Sequence, residues 1–378
     1  MSVPRTTVRY MELDLTASTD RLAAAATAAT RLLSSRLADP VGGGLLIDAR
    51  PDGVLLSGTD RERDVRLSVP AQIGSPGQAL VPGRLFAETL RSLQSGEVRL
   101  TVAEGRLTIT TPSAFFALPL LDQTGYPRLP AAPPLCGRIP AAALSATVGA
   151  VAAAAARDDA VPMFTGVRLR SAADGRMSLV ATDRYRMAIA DLGWRPESGA
   201  ELDLLVPAAL LAEVVKQTAH SGEVELRADG DRFGLCWNQD QVSSTVLAAR
   251  FPDEQRIIPD TVECTAEVDT DELLGALRRV ARYSGPEGVL ALQASSDGLL
   301  LSSGDDRSGS AQETVRATVT GEAFRAYRAK YLIDSLQQFH GHRGRLGISA
   351  SRATIIQAAD DDIERGELRY LVMPLRAA

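Results

Sequence analysis

The stretch Val54-Leu55-Leu56-Ser57-Gly58-Thr59-Asp60 decides the fold, because the chain writes it three times. Met177-Ser178-Leu179-Val180-Ala181-Thr182-Asp183 echoes it, and Leu299-Leu300-Leu301-Ser302-Ser303-Gly304-Asp305 echoes it again. The copies lie roughly 120 residues apart, the size of one domain. A second theme keeps the same step. Val81-Pro82, a helical stretch and Ser95-Gly96-Glu97-Val98-Arg99-Leu100 return as Val206-Pro207, a helical stretch and Ser221-Gly222-Glu223-Val224-Glu225-Leu226. A weaker third copy is a helix over Tyr331 to Phe339 followed by Gly344-Arg345-Leu346-Gly347-Ile348. Three copies of one unit describe a scaffold whose shape is its function. A single catalytic cleft has no need of them.

Each third reads as a helix followed by alternating strands, twice over. Ser18 or Thr19 caps a helix over Asp20 to Ser35, and Pro51-Asp52-Gly53 turns between strands at Gly44–Ala49 and Val54–Gly58. A third strand covers Asp64–Val69. Pro82 opens a helix over Arg84 to Leu93 that Gly96 closes, and strands follow at Val98–Val102, Arg106–Thr110 and Ala114–Leu118. Leu129 to Pro134, with three prolines, is a linker. An alanine-rich helix over Ala141 to Ala156 starts the middle third, and Phe251 to Asp260 ends it. A long strand from Glu367 to Leu375 closes the chain. The expected domains are 1–133, 134–261 and 262–378.

Composition narrows the function. With 45% apolar but only 4% aromatic residues, the cores rest on Leu, Val, Ile and Ala. A net charge of −6 argues against a generally basic nucleic-acid coat but leaves room for positive charge on one face. Cys136, Cys236 and Cys264 form no metal or disulfide spacing and suit a reducing cytoplasm. No run approaches the ~18 apolar residues of a membrane span, and Met1 to Tyr10 lacks the apolar core of a signal peptide.

Catalytic signals are weak. His340-Gly341-His342 lacks a further nearby ligand, His220 being distant in sequence, so no metal site or cofactor is expected. Asp60, Asp183 and Asp305 recur at one place in each repeat, which suits turn formation better than acid catalysis. Gly42-Gly43-Gly44 lacks the Lys and Ser/Thr of a phosphate loop, and Asp360-Asp361-Asp362 is a solvated charge run. An enzyme would need converging titratable groups, and the sequence offers none.

Ala181-Thr182-Asp183-Arg184-Tyr185-Arg186-Met187-Ala188, Arg250-Phe251-Pro252-Asp253 and Tyr370-Leu371-Val372-Met373-Pro374-Leu375-Arg376 together resemble the β sliding clamp of bacterial DNA polymerase III, over nearly the whole chain. Trp194-Arg195-Pro196-Glu197 is similar to actinobacterial members. The resemblance implies an α+β fold of three repeated clamp domains, each with helices on one face of antiparallel sheets, in a head-to-tail dimeric ring. It implies a non-catalytic homodimer that encircles duplex DNA, tethers the polymerase III catalytic subunit and is opened by a clamp loader. It also implies a pocket for short peptide motifs of the polymerase and other partners. The matching pocket positions are Phe164, Thr182, Arg184, Tyr185, Arg186, Met187, Pro252, Arg256, Ile257, Tyr331, Leu371, Met373, Pro374, Leu375 and Arg376. The Leu, Met and Pro side chains suit an apolar floor, and Arg186 or Arg376 suits a rim cation.

Three departures suggest a divergent clamp. Phe164 stands where the family usually has Leu. At the ring interface the family has an apolar pair in place of Arg282-Tyr283, opposite Phe116 and Leu118. The DNA-facing helices carry a sparse set of cations, Arg21, Arg31, Arg36, Arg84, Arg91, Arg157, Lys216, Arg278 and Arg279. Of these, Arg36 matches a family DNA-contact position. The alternative reading is a second-copy clamp whose altered pocket gives inhibitor tolerance or a restricted partner set.

Overall fold

The computed structural model describes residues 13–33, 43–157, 161–171, 175–197, 201–218, 221–305, 309–350, 352–359 and 367–375. The chain forms two compact units, one of residues 1–138 with 216–246, the other of 139–215 with 247–378. Among the described residues are six α-helices: α1 (Thr19–Leu32), α2 (Gly83–Ser92), α3 (Ala141–Ala152), α4 (Ala208–Gln217), α5 (Thr270–Val280) and α6 (Ala329–Leu336).

Unit 1 contains a five-stranded sheet and a run of eight further strands. The five-stranded sheet has the order Ala71–Ser75, Asp14–Ser18, Glu97–Ala103, Arg106–Thr110, Phe115–Pro119. In the larger run, Asp240–Thr245 of the middle repeat pairs antiparallel with Arg63–Val69 of the first, Val242 opposite Val65. That seam is polar on one face. Arg232 donates to the buried Asp64 carboxylate, and Ser68 N donates to Asp240 Oδ1 at 2.7 Å.

Unit 2 repeats the device. Its nine-stranded sheet joins the middle repeat to the last where Arg186–Gly193 pairs antiparallel with Arg369–Val372. Met187 therefore faces Leu371, and Arg186 faces Val372. A four-stranded sheet of order Gly309–Val315, Gly298–Asp305, Val289–Ser295, Ala323–Arg328 completes the unit.

The echoed heptads end in the same turn for a physical reason. Asp60 Oδ1 accepts from the backbone N–H of Glu62 and Arg63, and Asp183 Oδ1 accepts from Tyr185 and Arg186. Thr59 and Thr182 each take the next N–H, from Arg61 and Arg184. Both arginines consequently sit at left-handed φ, 76° and 81°, where a non-glycine residue is uncommon. The turn-forming reading of Asp60 and Asp183 holds, and the side chain of Asp305 lies outside the described residues.

Several boundaries differ from the sequence reading. Ser18 caps α1 through Arg21 N, but the helix stops at Leu32 because Leu33 is extended. Gly96 does not close α2: the helix ends four residues earlier, at Ser92, with Leu93 extended. Gly96 instead gives its carbonyl to Thr19 N at the start of α1. α3 stops at Ala152, where Ala154 and Ala155 bond three residues back and Ala156 N turns to Phe164 O. The closing strand is only Arg369–Val372. Beyond it the chain leaves the ladder. Met373 N bonds Tyr185 O, and Leu375 N, just after Pro374, reaches Ala326 O.

Candidate peptide site and polar cluster

The seam of unit 2 brings the two sequence motifs together. Met187 and Leu371, 1% and 2% exposed, sit in one apolar cluster with Val180, Ile189 and Ala353. Phe251, Ile257, Ile258 and Ile355 pack on it while staying partly open. Tyr185 and Met373, 48% and 41% exposed, are joined by a backbone hydrogen bond just beyond the Met187–Leu371 pairing. Tyr185 is stacked on Tyr331 of α6 with centroids 4.8 Å apart. Phe164 lies under the Arg184 guanidinium at 5.0 Å. Pro252, Pro374 and Leu375 are half-buried, and Arg256 is a solvated cation 3.3 Å from Asp253.

Two assignments change. Thr182 is buried and donates its hydroxyl to Arg186 O, so it shapes the turn. Arg186, read as a rim cation, is 8% exposed and turned inside the unit. Its Nε donates to Asp183 Oδ2 at 3.1 Å and its Nη2 to Ala153 O at 2.9 Å. Its Nη1 lies 3.1 Å from Asp334 Oδ2 on α6 without hydrogen-bond alignment, a Coulombic contact. Through two hydrogen bonds and one charge contact this guanidinium ties the end of α3, the seam and α6 together. The exposed cation of this turn is Arg184. The sequence signal for that was the Thr182-Asp183 pair before it, which repeats Thr59-Asp60 and sets the left-handed turn at Arg184. Tyr370 works alongside, fully buried with its hydroxyl donated to Ala150 O, and burial pushes its pKa up. Arg376 lies outside the described residues.

The candidate DNA contacts Arg21, Arg31, Arg84, Arg91, Arg157, Lys216, Arg278 and Arg279 are all exposed, and Arg36 lies outside the described residues. Some of this charge is already answered. Arg84 donates to Glu88 one turn on at 2.8 Å, Arg279 makes a two-bond fork to Glu313, and Arg278 donates to Gln337. His340 pairs with Asp271 at the start of α5, not with a second histidine.

Of the expected interface residues, Phe116 is 38% exposed on Phe115–Pro119, an edge strand of its sheet. Leu118, by contrast, is 4% exposed and belongs to the core, although it shares its strand face with Phe116 two residues back: Leu118 lies opposite Leu107 where the core covers that face, and Phe116 lies nearer the open end of the strand. Phe115, which the sequence reading passed over, is the most open apolar side chain there at 67%. Arg282 and Tyr283 are exposed just after α5, Tyr283 lying against Gly309 at the edge of the four-stranded sheet.

Comparison with known proteins agrees with this architecture. The sequence models of the DNA polymerase III beta subunit match in order: N-terminal domain over residues 13–130, central domain over 138–253 and C-terminal domain over 255–376. The chain is 30% identical over 355 residues to the beta sliding clamp homolog GriR of Streptomyces muensis, covering 92% of this chain and 94% of that one. It is 32% identical over 310 residues to the beta sliding clamp of Micrococcus luteus, covering 81% and 100%. The Pseudomonas aeruginosa sliding clamp bound to griselimycin has the same fold, with a TM-score of 0.87 at 22% identity over 97% of this chain and 100% of that one. Three repeats, three matched domains and the paired motifs of the seam make this chain a member of the β sliding clamp family, the beta subunit of DNA polymerase III.

Proposed function

We propose that the protein is a DNA sliding clamp: two copies close head to tail around duplex DNA in the cytoplasm and hold the polymerase III catalytic subunit and other partners through a peptide pocket. The observation that carries this reading is the ordered match of all three clamp domains across residues 13–376. We take the domains as 1–133, 134–261 and 262–378. A heterologous contact that closes gives a ring, and a ring keeps DNA by topology with only weak phosphate contacts. The exposed Phe115 and Phe116 strand edge on one side, and Arg282 with Tyr283 on the other, supply that contact. The role is one of binding, without catalysis, and loading falls to a separate clamp loader.

The peptide pocket is the Met187–Leu371 cluster with Ile257, Met373, Pro374 and Tyr185, where a partner's Leu or Phe anchors settle. A second reading, a clamp with a restricted partner set or inhibitor tolerance, is favoured by one observation: Arg184 covers the Phe164 ring at the pocket's edge. One experiment tests the main reading. The clamp is assembled on nicked circular DNA with a loader and the DNA is then linearised. A sliding ring is retained on the circle and lost from the linear form. Equal retention on both overturns the reading.

A further inference from the structure

The sheet face that carries the apolar cluster continues into a polar cleft of about 200 Å³. Register places the two side by side. Met187, Ile189 and Asp191 alternate along one strand and so share a face, as do Leu371 and Arg369 on the neighbouring strand. Ile189 and Ile258 belong to both places: they pack with Met187 and Leu371, and they also line the cleft. Beyond them the lining turns charged, with Arg170, Arg176, Asp191, Glu254 and Arg369.

These charges are not equivalent. Glu254, 3% exposed, is already spent: Arg168 donates to its Oε2 at 3.2 Å and Arg170 Nη2 lies 2.7 Å from its Oε1. Arg369 is different. No ion pair joins it to Asp191, although both line the cleft, and its buried Nε has no protein acceptor. A carboxylate brought into the cleft would pair with Arg369 without breaking an existing ion pair.

We propose that this cleft is a second subsite of the docking groove, which takes an acidic side chain of the same partner segment whose apolar anchor rests on the partly open edge of the Met187–Leu371 cluster. The proposal rests on reading that cluster as the peptide pocket. Four strand residues separate Met187 from Asp191, about 13 Å, so an extended segment carries the acidic residue about four positions from its anchor. Affinity then comes from the anchor, and the cleft adds discrimination by charge.

Fluorescence anisotropy with two sets of short peptides tests this. All share a Leu-Phe anchor. Each carries Glu or Gln four residues from it, placed on the N-terminal side in one set and on the C-terminal side in the other. The expected result is that, on one side, the Glu peptide binds about fivefold more tightly than its Gln twin, as a partly buried charge-assisted hydrogen bond allows. That preference should disappear in Arg369→Gln and shrink in Arg176→Gln, a rim change that spares the core strand. It should grow in Asp191→Asn, which removes the competing charge. Equal binding of Glu and Gln peptides on both sides, or a Glu preference that survives Arg369→Gln in folded protein, overturns the charged subsite and leaves the apolar pocket standing. Failure of every anchored peptide to bind overturns both.

Discussion

Replacing Arg186 with Met tests whether this side chain is a strut or a rim contact. The change keeps bulk and removes a charge that is 8% exposed and answered by Asp183, Asp334 and the Ala153 carbonyl. Breaking a buried ion pair from one side costs about 3–5 kcal/mol, chiefly because the other charge is stranded. Asp183 is that stranded charge, with only 12% of its side chain exposed. Asp334, 41% exposed, rehydrates, so its share is discounted and the expected loss is about 2–3 kcal/mol. The chain has two tryptophans, and they divide between the units: Trp194 in unit 2 and Trp237 in unit 1. In a Trp237→Phe background, urea unfolding followed by Trp194 fluorescence reports unit 2 alone. Adding Asp183→Asn keeps the turn-forming Oδ1 but deletes the stranded charge. The double variant should therefore recover about 1 kcal/mol or more of the loss, a coupling typical of residues in direct contact. An unchanged midpoint in Arg186→Met refutes the strut. So does a large fall in peptide affinity with stability intact, which would return Arg186 to the rim.

Glu313→Gln releases Arg279 from its fork, so affinity for duplex DNA should rise and log K against log salt should steepen by up to about one phosphate equivalent; a salt series decides, and an unaltered slope removes Arg279 from the DNA face. Phe116→Asp puts an unpaired charge on the exposed strand edge and should convert the dimer to monomer in light scattering at micromolar concentration, whereas Arg282→Leu should tighten it. Asp240 has its pKa raised, burial outweighing the hydrogen bond from Ser68 N. Its ionised form is therefore the less favoured one in the fold, and stability is gained as pH falls through the raised pKa. Asp240→Asn keeps an acceptor for Ser68 and should match or exceed wild-type stability at pH 7, the advantage vanishing in acid; a loss that persists at all pH values would refute the burial argument.

The periodic features were legible in the sequence, and the once-only features were not. The three heptads repeat because each repeat needs the same strand, and the Thr-Asp-Arg turn returns in the first two because both close that strand with the same Asx turn, so a single sequence displays them without a structure. The pairing of Met187 with Leu371 is a long-range register, and only the resemblance placed those motifs together. Charge reading failed at Arg186 because an arginine before an apolar residue looks the same whether its guanidinium meets water or the carbonyl of Ala153. Leu118 failed because parity alone puts it on the same strand face as Phe116, and how far along the strand the core covers that face is a tertiary feature that the apolar string Phe115 to Pro119 does not show. Gly96 failed because a glycine after a helix signals a left-handed cap only when the backbone turns there, and here Leu93 had already left the helix in an extended conformation. The charged cleft shows the same limit from the other side. Arg170, Arg176, Asp191 and Arg369 are scattered over 200 residues and none carries a motif, yet strand register assembles them beside the apolar cluster. The proposed charge discrimination therefore rests on residues that no short motif would flag, and Arg369 is the one whose removal should separate anchoring from charge recognition.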